Sequence, residues 1–179
     1  MIKEFNLLAT SEIRRESEAC SELWMLLRAA GDETPILDRS PIRGLIVART
    51  SLDPVEAIRR LRIELHEDPQ IFRAILRVMP VEASTPTDLG EIVDKTRDLA
   101  SKIGESESFR VTLEKRRTGL RSRVVVEAVA GVIDRRVNLE DPDWIVLVEI
   151  ISRVTGLSVI ASDGILNIQK ERAKLSAEG

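Results

Sequence analysis

The sequence predicts an α+β protein made of two small domains, with strands and helices alternating in both halves of its 179 residues. Three observations support this prediction. Capping residues frame amphipathic helical stripes, short apolar or alternating runs lie between them, and a segment rich in proline, serine and threonine at 81–87 divides the chain. With 43% hydrophobic and 32% charged residues, the chain can bury a core and is not expected to be disordered.

The first half is predicted to form a domain of residues 1–82. Its first helix carries an apolar stripe, with Ser11 as the expected cap and Gly31 as the stop. The second helix is expected to begin at Asp53 and Pro54, because aspartate caps a helix and proline fits its first turn. The predicted strands are residues 5–10, 35–38, 44–50 and 70–78. The resulting βαββαβ order is that of a ferredoxin-like fold.

The second half, residues 83–179, is predicted to be an α/β domain that follows the linker at 81–87. Its first helix follows Asp88, has apolar residues at three- and four-residue steps, and ends at Gly104. A second helix is expected at about 122–133. The predicted strands are residues 109–114, 136–139, 144–151 and 157–161. The tail from Asp163 is predicted to be a short amphipathic piece of the same domain.

The stretch 109–123 concentrates positive charge on an acidic protein. Its net formal charge is +5, counted from its residues, whereas the whole chain carries −3. The six cations are Arg110, Lys115, Arg116, Arg117, Arg121 and Arg123. They follow an alternating strand and end where a helix is expected to begin. Such a cluster indicates a polyanionic ligand, because Lys and Arg neutralise phosphates and Arg can grip one through two nitrogens.

The expected start of the helix at Ser122 strengthens this interpretation. Arg121 and Arg123 flank it, and cations beside the positive end of a helix are unfavourable unless an anion binds there. Arg135 and Arg136, at the far end of the same helix, serve either the negative helix end or the ligand. The alternative for the whole cluster is a salt-bridged surface. Three distant carboxylates are available to fold back onto it: Glu140, Asp141 and Asp143.

The sequence offers little for catalysis. Cys20, the only cysteine, lies on the apolar stripe of the first helix and is expected to be a buried structural thiol. His66, the only histidine, is expected to end a helix, because one histidine without cysteine companions cannot make a zinc site. No phosphate-binding glycine motif occurs. We therefore expect no enzyme activity, no metal and no small-molecule cofactor.

The apolar runs are all too short to span a bilayer, and the first residues lack the core of a signal peptide. The expected location is therefore the cytoplasm, without a membrane partner. Only 3% of the residues are aromatic, which disfavours recognition of single strands by base stacking. Backbone and shape recognition of a folded RNA fits this composition better.

Several runs in the second half resemble a THUMP domain. They are Phe109-Arg110-Val111, Lys115-Arg116-Arg117, Val137-Asn138-Leu139, Pro142-Asp143 and the strand Val146-Leu147-Val148-Glu149-Ile150. Their order and spacing carry the resemblance, which covers roughly residues 85–165. It implies an RNA-binding module of tRNA-modifying enzymes, in which a ferredoxin-like domain commonly stands just before the THUMP domain.

The resemblance also implies a role. The chain is too short for the catalytic domains that usually follow, and it is similar to stand-alone THUMP adaptors that help a separate acetyltransferase make N-acetylcytidine in tRNA. The expected partners are therefore tRNA, held by its acceptor stem, and an RNA acetyltransferase. The expected RNA contacts are Arg110, Lys115, Arg116, Arg117, Arg121, Arg123, Arg135 and Arg136. Two alternatives stay open: a protein-interaction module that docks an acidic partner without RNA affinity, and a small enzyme that acts on RNA alone.

Overall fold

The computed structural model describes residues 1–178 and divides them into two compact units. The first unit consists of Met1–Pro80 and the described residues from Gly164 onward, and the second is Val81–Asp163. Helices and strands are mixed in both units and form two separate sheets, which confirms the predicted α+β class.

The first unit has the predicted βαββαβ order. Its elements are β1 (Leu7–Ser11), α1 (Glu16–Ala29), β2 (Ile36–Arg39), β3 (Leu45–Arg49), α2 (Pro54–Glu67) and β4 (Ile75–Pro80). The four strands are antiparallel and lie in the order β4-β1-β3-β2, which is the ferredoxin-like arrangement. Leu7 and Ile46 on one face of the sheet pack with Leu23 and Leu61 of the two helices to form the core.

The start of α2 confirms the predicted cap. The Asp53 side chain accepts hydrogen bonds from the amides of Val55 and Glu56, both at 3.0 Å, and Pro54 occupies the first helical position. The start of α1 differs from the prediction. Ser11 is the last residue of β1, and Arg15 precedes the helix without a side-chain cap. A register shift between Thr10 and Ser11 ends the strand there, so the helix begins later.

The second unit is a five-stranded sheet with helices. Its elements are β5 (Ala83–Pro86), α3 (Leu89–Leu99), a 3₁₀ turn (Ala100–Lys102), β6 (Ser108–Arg116), α4 (Ser122–Gly131), β7 (Arg136–Val137), β8 (Trp144–Ile151) and β9 (Val154–Ala161). The strand order is β5-β9-β8-β6-β7, and β6 is parallel to both of its neighbours. Phe109, Val125, Val129, Val146 and Val148 form the centre of its core.

The predicted linker at 81–87 contains strand β5, which corrects the sequence analysis. Ala83 to Pro86 pair antiparallel with Leu157 to Val154 of β9. Because β5 is the edge strand of the sheet, a proline at its end removes no hydrogen bond that the sheet needs. The composition of the segment therefore indicated a linker although the chain is extended and paired here.

The tail was expected to belong to the second domain, but it packs with the first unit. After the second unit, the chain returns to the first sheet as β10 (Leu166–Asn167), which pairs with Val78 and Arg77 of β4, and continues as α5 (Ile168–Glu178). Leu166 and Ile168 are buried in the first core. This correction has a physical reason, since the free edge of β4 and the apolar surface beside α2 offer the tail a place to pair and pack.

Candidate nucleic-acid interface

Strand β6 carries three of the predicted cations, Arg110, Lys115 and Arg116, and has a partly open edge. It pairs with β8 over its full length, from Phe109 opposite Trp144 to Arg116 opposite Ile151. On its other side, β7 pairs only with Ser108 and Phe109. Among the described residues, no strand covers that edge from Arg110 onward. The cations therefore follow an edge whose backbone is also accessible.

Arg116 has a structural role within this sheet. Its Nη1 lies 2.6 Å from Oε2 of Glu149 on β8, and the side chains are 20% and 1% exposed. Because Glu114 is the register partner of Glu149, Arg116 stands diagonally across from that carboxylate on the same face. The geometry gives Arg116 a largely buried ion pair, and its contact with RNA stays a prediction.

The connection from β6 to α4 holds the main group of exposed cations, which we call the basic turn: Lys115, Arg117, Arg121 and Arg123. Lys115 Nζ donates a hydrogen bond to the carbonyl oxygen of Leu120 at 2.9 Å, which draws the end of β6 to the helix start. Arg117 has a φ of 54°, a left-handed conformation that is uncommon for a residue with a side chain. This turn of the backbone places the four cations in one region of the surface.

The first turn of α4 has neither a side-chain cap nor an acidic residue. Arg121 occupies the capping position, and its carbonyl accepts the first helical hydrogen bond, from the Val125 amide at 3.1 Å. Ser122, the expected start of the helix, is the first helical residue. The amides that open a helix carry partial positive charge, and the cations beside them add to it. This arrangement can bind an anionic oxygen such as that of a phosphate.

Arg123 pairs with Glu127 one helical turn further on, at 2.7 Å. The two side chains are 88% and 63% exposed, so water screens the pair and its contribution is at most about 1 kcal/mol. A phosphate can compete with such a partner. Arg123 therefore remains available to bind a phosphate, whereas a phosphate replaces the buried carboxylate partner of Arg116 less easily.

A second group of cations lies at the other end of β6. Arg110 donates from Nη1 to the carbonyl of Leu139 at 3.0 Å. Arg136 is exposed on β7, where its charge helps to lower the pKa of the Asp143 carboxyl after the larger effect of the Ser108 amide and hydroxyl. Arg110 and Lys115 are five residue steps apart along the strand, which corresponds to a span of about 17 Å. The cations thus form two groups along one strand.

Arg135 lies beyond α4, which ends at Gly131, and it bonds to two carbonyls outside that helix. Its Nε donates to the carbonyl of Ile103 at 3.0 Å and its Nη1 to that of Asp134 at 2.6 Å. The first bond ties the segment between α4 and β7 to the residue that follows the 3₁₀ turn, and neither bond involves the terminal carbonyls of α4. Arg135 is only partly exposed, so we assign it to the structure of the domain.

Most of the predicted contacts are not part of a salt-bridged surface. Among the described residues, only Arg116 and Arg123 of the eight predicted contacts form ion pairs within 4.0 Å. In the described part of the chain, none of the carboxylates of Glu140, Asp141 and Asp143 forms an ion pair with these cations. Asp143 accepts from the amide and hydroxyl of Ser108, at 2.7 and 2.9 Å, and Asn138 fixes the loop around Asp141. The basic turn therefore keeps its positive charge.

The candidates for chemistry have structural surroundings. Burial raises the pKa of the Cys20 thiol, the opposite of what a nucleophile needs. His66 Nε2 lies 3.0 Å from Oε2 of Glu171 on α5, so it joins two helices of the first unit. Within residues 1–178, no group of three or more His, Cys, Asp or Glu side chains has the geometry to hold a metal. No helix in the same range is long and apolar enough to cross a membrane.

Sequence reasoning anticipated an anion at the start of α4 but missed that Arg121 occupies the capping position there. The available signal was a combination of absences at the helix start. Residue 121 is arginine where a capping Ser, Thr, Asp or Asn is usual, and residues 122–125 contain no acid.

Comparison with known proteins places the second unit in a family. Residues 86–160 match the family model described as the THUMP domain. No curated protein matches the chain.

Solved structures share the fold. PH1313 from Pyrococcus horikoshii Ot3 superposes with a TM-score of 0.58 at 17% identity, covering 88% of this chain and 55% of that one. TrmN from Thermus thermophilus gives a TM-score of 0.59 at 19% identity, covering 98% and 50%. A predicted N6-adenine-specific DNA methylase from Listeria monocytogenes str. 4b F2365 gives 0.51 at 18%, covering 87% and 40%.

The chain spans about half the length of these three proteins. At such identities, the similarity concerns the fold alone, and it extends over both units of the chain. The family match, by contrast, falls on the stretch that holds β6, the basic turn and α4. Residues 86–160 of this chain are therefore a THUMP domain.

Proposed function

We propose that this chain binds tRNA through the basic turn and presents it to a separate modifying enzyme. One observation carries the proposal. Lys115 and Arg117 precede a helix start without a side-chain cap, Arg121 occupies its capping position, and among the described residues none of the three forms an ion pair with a carboxylate. Family resemblance supports RNA as the polyanion, because THUMP domains occur in enzymes that modify tRNA.

The mode of binding follows from the distribution of charge. A phosphate of the RNA backbone would lie at the opening amides of α4, with the guanidinium of Arg121 beside it. Arg110 and Arg136, about 17 Å away along β6, would contact a second part of the backbone. Contacts of this kind read the shape of a helical stem and not its sequence. The acceptor stem of tRNA is the part that we assign to this surface.

The partner enzyme that we propose is an RNA cytidine acetyltransferase, with the present chain as a non-catalytic adaptor. Resemblance to stand-alone THUMP adaptors supports this choice. The surroundings of the two reactive side chains agree with it, since the pKa of Cys20 is raised and His66 contacts Glu171. The adaptor would hold the stem while the enzyme acts on a distant cytidine.

RNA binding can be tested by the salt dependence of affinity. We expect the triple variant Lys115→Ala/Arg117→Ala/Arg121→Ala to bind a tRNA transcript more weakly at low salt. The slope of log K against log salt should also decrease by about 2 to 3, because each lost phosphate contact removes about 0.7 to 0.9. Fluorescence anisotropy with labelled tRNA at several salt concentrations measures both quantities.

A matched control removes the same charge elsewhere. Arg49, Arg59 and Arg97 are exposed and each pairs with a carboxylate. Their triple alanine variant should keep the slope of the unmodified protein. Equal slopes for both triple variants would show that bulk charge, and not the basic turn, governs binding. Absence of any tRNA binding by the unmodified protein would favour the protein-interaction alternative.

The adaptor role needs a separate experiment. Purified chain, tRNA, acetyl-CoA and the acetyltransferase of the same organism would be combined, and the nucleosides analysed by mass spectrometry. We expect N-acetylcytidine only when chain and enzyme are both present, and a loss of product with the basic-turn variant. A product formed by the chain alone would instead identify it as an enzyme.

A further inference from the structure

The first unit exposes an apolar groove between α1 and the edge strand β2. The groove is lined by Cys20, Trp24 and Met25 of the helix and by Ile36 and Leu37 of the strand. Trp24, Met25 and Ile36 are 42%, 61% and 51% exposed. Single exposed apolar side chains are common on protein surfaces, but a contiguous set around a groove indicates a binding surface.

The strand beside this groove has an unpaired edge. β2 is the last strand of its sheet and pairs only with β3. The Ser40 amide donates to the carbonyl of Leu45 at 3.1 Å, in register with the β2–β3 pairing. This register directs the backbone groups of Leu37 and Arg39 away from β3.

Two arginines border the groove, and one of them, Arg39, also acts electrostatically on the Glu16 carboxylate. The Arg28 guanidinium lies 5.0 Å from the ring centre of Trp24. Arg39 contacts the Ser17 hydroxyl at 3.5 Å. Neither arginine forms an ion pair with another described residue, and the nearby Asp38 is held by the amino group of Met1 at 2.9 Å. No acidic residue lines the groove itself.

We propose that β2 and this groove bind an extended segment of another protein. The segment would pair with Leu37, place apolar side chains between Trp24, Met25 and Ile36, and direct carboxylates toward Arg28 and Arg39. The open backbone edge selects a peptide, because only another strand supplies alternating donors and acceptors at the required spacing. The apolar lining and the cationic border then select its side chains. This surface does not depend on the basic turn.

A peptide selection on the full chain tests the proposal. Random twelve-residue peptides displayed on phage would be panned against the immobilised protein saturated with tRNA. We expect enriched sequences that alternate apolar residues and carry Asp or Glu. Synthetic versions should bind at least tenfold more weakly to Met25→Glu and to Ile36→Lys, whereas Ile63→Glu, at an exposed apolar position of α2 outside the groove, should bind them normally.

Strand pairing is tested by comparing Leu37→Pro with Leu37→Ala. Both variants lose the leucine side chain, but only proline removes the outward amide and leaves the donors to β3 in place. We expect the proline variant to bind the peptides more weakly than the alanine variant. Thermal unfolding of each variant shows whether the first unit is intact. If Leu37→Pro is unfolded, the proposal is tested by the exposed variants Met25→Glu and Ile36→Lys alone.

Other outcomes would overturn the proposal. They are the absence of enriched peptides, the enrichment of basic ones, or equal binding by the unmodified protein and Met25→Glu. Titration with tRNA provides a further check, because Met25→Glu should leave RNA affinity unchanged. A loss of tRNA binding in that variant would instead assign the groove to nucleic acid.

Discussion

Removing the guanidinium of Arg116 should lower the stability of the folded protein, whether or not RNA is present. The Glu149 carboxylate that it contacts at 2.6 Å is 1% exposed, and Arg116 itself is 20% exposed. Deleting one member of a buried ion pair costs about 3–5 kcal/mol, because the remaining charge stays in a medium that solvates it poorly. We expect Arg116→Leu to lower the free energy of unfolding by this amount.

The double variant Arg116→Leu/Glu149→Leu should recover most of that loss, because two apolar side chains on neighbouring strands pack without a desolvated charge. Urea unfolding followed by circular dichroism measures all three proteins. Arg123→Leu is the matched control, since its pair with Glu127 is exposed and should contribute at most about 1 kcal/mol. A stable Arg116→Leu protein that binds tRNA weakly would refute the structural role and return Arg116 to the RNA surface.

Two more predictions concern buried carboxylates of the first unit. Glu22 accepts hydrogen bonds from the amides of residues 73–75 at 2.9 to 3.1 Å, so Glu22→Ala should cost about 3 kcal/mol in urea unfolding, whereas an unchanged midpoint would contradict this. Burial alone would raise the pKa of Glu171, but the hydrogen bond from His66 and the charge of Arg62 outweigh it and lower the pKa. Because the pKa is lower in the folded state, the ionised carboxylate stabilises the protein at pH values above the unfolded pKa, which is about 4.3, and this stabilisation is lost as the pH falls. Glu171→Gln should therefore flatten the plot of unfolding free energy against pH between about pH 5 and 3.

The first unit was largely predictable because its signals are local. Asp53 and Pro54 fix the start of α2, and the turn around Ser40 separates two strands that pair as expected. The errors arose where distant contacts decide the structure. β5 forms because β9 offers it an edge, and β10 forms because β4 does, and neither partner is visible from the composition of the segment itself.

The candidate site was predicted as a set of residues but not as a geometry. The charge count alone identified the basic region, yet it could not separate Arg116 from its neighbours. That separation depends on Glu149, which lies 33 residues away and becomes a neighbour only through the parallel pairing of β6 and β8. Arg135 likewise finds its acceptor at Ile103, 32 residues earlier in the chain. Long-range pairing, and not residue type, decides which cations remain exposed.

The return of the chain to its first sheet has a consequence for synthesis on the ribosome. Leu166 and Ile168 fill the core that α1 and α2 cover, and Arg172 bonds to the carbonyls of Pro69 and Phe72. The first unit therefore cannot complete its sheet, at the edge of β4, until the whole THUMP domain has left the exit tunnel. Premature termination after residue 163 would release a polypeptide with a finished THUMP domain and an incomplete companion.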